Sequence, residues 1–137
     1  MKLFCLMLAG ALGTAARYGL TVSIQSWLSG RGAQNFPANF LGTTFPLGTL
    51  IINVSGTFAL AFVATLALHE VVKPELRLVL GTGFLGAFTT FSAFELEAES
   101  LLSRHEWLAS VLYIGGNLLL GLAAVFAGRA LAMRLLA

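Results

Sequence analysis

Residues 81 to 97, GTGFLGAFTTFSAFELE, place several kinds of binding group within one short stretch. Gly81, Gly83 and Gly86 match the G-x-G-x-x-G spacing that brings backbone amides to a dinucleotide pyrophosphate. Phe88, Phe91 and Phe94 recur every third residue and would share a face of a helix. Their ring edges carry the positive end of an aromatic quadrupole, which can meet an anion without a fixed charge. Thr89, Thr90 and Ser92 add hydroxyls, and Glu95, Glu97 and Glu99 follow, with Glu95 and Glu99 on one helical face and Glu97 on another. Elsewhere Arg17, Asn53 and Asn117 interrupt apolar runs. Cys5 is the single cysteine, so an internal disulfide is excluded, and no metal-ligand spacing occurs. His69 and His105 stand beside glutamates and read as solvated interfacial residues.

The elements that must hold these groups are membrane helices. The 137 residues are 58% hydrophobic and only 10% charged, against about 25% charged in an ordinary soluble domain, and the mean hydropathy is +0.88. Four continuous apolar stretches, 3–27, 47–68, 78–102 and 108–128, are each long enough to cross the hydrocarbon core as a helix at roughly 20 residues per crossing. They form one transmembrane domain, 1–137, of an all-α membrane protein, with no room for a soluble domain. The first stretch has the layout of a signal peptide, but three further spans make it more simply the first of a set. Loop signals at 29–46, 69–77 and 103–107 contain or border Pro37, Pro46 and Pro74, and Trp27 and Trp107 stand at span ends as interfacial anchors.

Four spans put both termini on one side. Lys2, Lys73, Arg77, Arg129 and Arg134 fall on that side, and Arg31 and Arg104 on the other. The positive-inside rule therefore favours cytoplasmic termini. The net charge of +2 is too small and scattered to indicate nucleic acid.

This setting removes the nucleotide reading, because Gly81 to Gly86 lie inside a span with no strand before them. The same glycines, with Thr89, Thr90 and Ser92 competing for backbone hydrogen bonds, predict that the third helix breaks between Gly86 and Phe91. A break at membrane depth frees carbonyls and amides, which are tolerated only where they are buried in protein or face an ion or water. Asn53 and Asn117, near the middle of otherwise apolar helices, serve either as interhelical hydrogen-bond partners or as pore donors. Arg17, about two-thirds along its span, either snorkels to the interface or faces a wet cavity or a partner.

LGTAARYGL (12–20), GTLIINVSG (48–56), GFLGAFTTFSAFELE (83–97) and YIGGNLLLG (113–121) together resemble the Fluc, or CrcB-type, bacterial fluoride channels over nearly the whole chain. Against the single orientation that the five-to-two charge count favours, the resemblance implies a homodimer of oppositely inserted subunits in the inner membrane, enclosing two fluoride pores that export the ion passively and confer fluoride resistance. It implies that Phe91 and Phe94 are the pore phenylalanines and Asn53 the pore asparagine. Thr49, Ser92, Tyr113 and Asn117 match polar pore positions, Glu97 matches the glutamate beyond the second phenylalanine, and Arg17 matches the vestibule arginine. Gly86 and Thr89 match the positions whose backbone carbonyls hold a structural sodium ion on the dimer axis. Ala93 and Gly121 depart from the hydroxyl residues found there in other members.

The alternative is a small four-helix proton-coupled multidrug exporter. Such a protein needs a carboxylate deep in its first span, where this chain has Arg17 and no acid. An enzyme reading finds no constellation of nucleophile, base and metal.

Overall fold

In a computed structural model of the chain, residues 2–29 and 45–137 are described. The loop that the sequence predicts around Arg31 and Pro37 lies outside the described residues. Every regular element among the described residues is helical: α1 (Lys2–Ser29), α2 (Leu47–Leu68), α3 (Pro74–Arg77), a π-helical stretch (Leu78–Leu85), α4 (Gly86–Phe88), α5 (Phe91–Ser103) and α6 (Trp107–Leu136). The segments from Pro74 to Ser103 make one interrupted span, so four helices are long and apolar enough to cross a membrane. Four such helices define a multi-pass membrane protein.

The third span breaks where the glycines and hydroxyl residues predict. Thr89 (φ −77°, ψ 159°) and Thr90 (φ −148°, ψ 121°) are extended between α4 and α5. Thr90 then caps the new helix, its Oγ1 accepting from the Ala93 amide at 3.3 Å. Before the break the turns are wide: the Gly86 amide donates five residues back, to the Gly81 carbonyl. Such π turns commonly mark functional sites. The break also divides the phenylalanine stripe. Phe88 stacks on Phe84 (centroids 6.1 Å apart, 7° between planes), whereas Phe91 and Phe94 form a tilted pair within α5 at 5.7 Å.

Packing follows from small residues, because apolar lipid gives no hydrophobic drive for helices to meet and close van der Waals contact must supply it. α2 packs along α6, and α1 packs against the π stretch. A Cβ at Gly128 would lie 2.4 Å from the Phe58 carbonyl oxygen, and one at Gly13 only 2.2 Å from that of Phe84. Gly13→Ala should therefore push α1 off the third span and cost about 1–3 kcal/mol or more. Gly19→Ala, where a Cβ meets nothing within 4 Å, should be neutral. Thermal unfolding in detergent distinguishes the two, and equal midpoints would refute the close packing.

Large apolar side chains such as Leu118, Leu119 and Phe126 face outward. The small core gathers Phe94, Ala98 and Leu101 of α5 with Ala109 and Tyr113 of α6, and Phe45 and Leu50 pack against it. On the side of the termini, Lys2 pairs with Glu75 at 3.3 Å, joining α1 to α3. Both partners are exposed, and such pairs contribute little. Two helices end in Schellman motifs. At the end of α5 the His105 amide donates to Leu102 and the Glu106 amide to Leu101, with His105 at φ 61°; Glu70 and Val71 repeat this at the end of α2.

Candidate ion-conduction site

The break exposes two polar backbone groups at Thr90, and α2 supplies the side chain that satisfies both. Asn53 Oδ1 accepts from the Thr90 amide at 2.9 Å, and Asn53 Nδ2 donates to the Thr90 carbonyl at 3.1 Å. The same Nδ2 donates to Asn117 Oδ1 of α6 at 3.0 Å, and Asn117 Nδ2 donates to the Tyr113 carbonyl one turn earlier, also at 3.0 Å. Of the two roles open to these asparagines, the interhelical bond is realised, and it clamps the broken segment between α2 and α6.

A turn before Asn53 stands Thr49, and a turn before Asn117 stands Tyr113. Both hydroxyls donate to Glu97 of α5: Thr49 Oγ1 to Oε1 at 2.9 Å, and the Tyr113 hydroxyl to Oε2. Tyr113 is fully buried, and its ring meets Phe94 at 5.5 Å and, nearly perpendicular, Phe45 at 5.6 Å. Steps of four residues along α2 and α6, and of three or four along α5, therefore set a continuous file: Thr90, Asn53 and Asn117, then Phe94, then Tyr113, Thr49 and Glu97. Glu95 and Glu99 are exposed and take no part.

Clefts flank this file. One of about 230 Å³ is lined by Asn53, Thr57, Thr89, Thr90, Phe91, Phe94 and Asn117. Another, of about 580 Å³, is lined by Arg17, Thr49, Thr90, Ser92 and Glu97 among others. Thr90 borders both, so the clamp with Asn53 and Asn117 stands between them. The structure thus brings together Asn53, Asn117, Thr49, Tyr113, Glu97, Phe91 and Phe94, and sets Ser92 and Arg17 around the wider cleft. Sequence reasoning missed Thr57 and treated Thr90 only as a breaker. The signal for Thr57 was a hydroxyl residue one turn beyond Asn53; for Thr90 it was the N-cap preference for threonine before an apolar run.

Gly86 and Thr89 lie at the break itself. In an unbroken helix their carbonyls would accept from the amides of Thr90 and Ala93. Those amides donate instead to Asn53 Oδ1 and Thr90 Oγ1, so both oxygens lose their helical donors. Carbonyl oxygens of this kind suit a hard cation. Among the described residues no group of three or more His, Cys, Asp or Glu side chains could hold a metal ion.

Four spanning helices, with broken backbone and a hydrogen-bonded polar file at membrane depth, define a small polytopic α-helical membrane protein. The model of the CrcB-like protein family, described also as Camphor Resistance (CrcB), matches residues 4–129. The chain belongs to that family. Three similar proteins are each named fluoride-specific ion channel FluC. The one from Nitratidesulfovibrio vulgaris is 46% identical over 128 residues, covering 93% of each chain. That from Solidesulfovibrio magneticus is 43% identical over 131 residues, 95% of this chain and 94% of the relative. That from Acidobacterium capsulatum is 41% identical over 138 residues and covers both chains fully.

Proposed function

We propose that this chain is a fluoride-selective channel of the bacterial inner membrane, exporting fluoride passively and so relieving its toxicity. The observation that carries the reading is the file from Asn53 and Asn117 past Phe94 to Tyr113, Thr49 and Glu97, with a cleft on each side. Fluoride is small and strongly hydrated, so a pore must replace its water with donors while holding it weakly enough for release. Amide protons, hydroxyls and ring edges meet that need without a cation that would trap the ion. A passing fluoride competes with Thr90 and Asn117 for the Asn53 amide, and with Glu97 for the hydroxyls of Thr49 and Tyr113. Arg17 raises the local anion concentration from the vestibule, and Ser92 offers a further hydroxyl there.

The working unit is an antiparallel pair of identical subunits embedded in lipid, with two pores. Phe91 supports this assembly: the residue is 71% exposed in the single chain, and a second copy would cover it and complete the pore wall. The Gly86 and Thr89 carbonyls, freed at the break, would meet their symmetry mates on the dimer axis and hold a sodium ion. When bound, that ion supplies a fixed positive charge beside the anion path.

The proton-coupled exporter is the competing account, and the driving force separates the two. Fluoride efflux from liposomes holding the protein should respond to voltage and, with the voltage clamped by a potassium ionophore, be unchanged when a protonophore collapses the pH gradient. Absence of fluoride efflux from intact protein, with release of a cationic drug that requires the proton gradient, would overturn the channel reading in favour of the exporter.

A further inference from the structure

Outside the wide cleft lies a second one of about 280 Å³, and the two meet at Thr21, Thr49 and Glu97. Among the described residues that line the outer cleft, Glu97 is the single anion and Arg104 the single cation. Glu97, Ser100 and Arg104 all face it, as their spacing of three and then four residues along α5 requires. Seven residues of helix place Arg104 about 10 Å farther out along the axis than Glu97. Arg104 is also held in place. It is the C-cap residue of α5, its amide donates to Ser100 at 3.2 Å, and the Schellman motif through His105 and Glu106 fixes the backbone after it. Its guanidinium makes no hydrogen bond or ion pair with the described residues, so its charge acts on the cleft and is not cancelled by a partner.

The formal charge nearest the hydroxyls of Thr49 and Tyr113 is the Glu97 carboxylate, which repels anions, and Arg104 is the charge of opposite sign on the outer cleft. Arg17 cannot correct this at the entrance, because it lines the inner cleft and not the outer one. We infer that Arg104 is a second, outer anion-collecting residue, which sets the fluoride concentration at the Glu97 end of the file. It acts on arrival of the ion and touches none of the groups that select it. Its influence must therefore follow the range of an exposed charge, about 30 Å at 0.01 M ionic strength and 3 Å at 1 M.

The test compares the full-length protein with R104K, R104Q and R104E in liposomes, following initial fluoride efflux in a salt of a large impermeant anion. At low ionic strength R104Q should conduct roughly three-fold more slowly and R104E about ten-fold more slowly, as loss and reversal of steering charge produce. R104K should match the parent, and all four should converge near 1 M salt. Equal efflux from the parent and R104E at low salt would overturn the inference, as would a slowing of R104E that persists at 1 M, which marks a structural role. The inference rests on the channel reading, yet fails separately from it: a parent protein that passes no fluoride sinks that reading, whereas a conducting parent matched by R104E sinks only this one.

Discussion

Phe91→Ile is expected to remove fluoride flux while leaving the subunit folded. Phe91 is 71% exposed, so trimming its ring takes little from the packing of one chain. The branched aliphatic replacement is apolar and of similar bulk, but it has no quadrupole and so no positive edge to offer a passing anion. Efflux should drop by at least about ten-fold, equivalent to roughly 1.4 kcal/mol on the barrier. Phe94→Ile should lose flux as well, but that ring is buried against Tyr113 and Phe91, so its loss also disturbs packing. Unchanged flux in purified, monodisperse Phe91→Ile would mean that the ring edge plays no part.

Asn53→Ala should damage fold and flux together. One side chain holds the Thr90 amide, the Thr90 carbonyl and Asn117, and its removal leaves three polar groups without partners in an apolar setting. At about 1–3 kcal/mol for a buried group left unsatisfied, softened by local relaxation, the cost should be roughly 2–4 kcal/mol. The freed Thr90 amide would also turn back toward the Gly86 carbonyl and begin to close the break. Asn53→Asp keeps the acceptor for the Thr90 amide but puts a carboxylate on the anion path. With no donor left for the Thr90 carbonyl or Asn117 Oδ1, which would then face a carboxylate oxygen, it should be no more stable than the alanine variant and should also conduct poorly. Thermal unfolding in detergent, measured beside efflux, gives both readouts; full stability in Asn53→Ala would show that the clamp holds nothing.

The helices were legible because an apolar run of the right length has few alternatives in a membrane. The break was legible because Gly86, Thr89 and Thr90 each weaken a helix for a separate reason, and those reasons agree on one place. The phenylalanine stripe was only half legible. Helical spacing groups Phe88 with Phe91 and Phe94, but the extended residues between them send Phe88 to Phe84 instead. Asn53 could be marked as exceptional from its depth alone, whereas its triple engagement depends on how far the break moves Thr90, which no local pattern encodes. The glutamates show the same limit. Spacing separates Glu97 from Glu95 and Glu99, but only the placement of Thr49 and Tyr113 on neighbouring helices shows which face is used.

Selective anion release from liposomes tests the central claim most directly. Vesicles containing the protein and loaded with potassium fluoride, or with potassium chloride, are diluted into a salt of an impermeant anion, and a potassium ionophore is added to relieve the voltage that holds the anion inside. Fluoride should leave rapidly once the ionophore is added, and chloride should leave no faster than from protein-free vesicles. Fluoride release at the protein-free rate, or release of both halides at the same rate, would contradict the account.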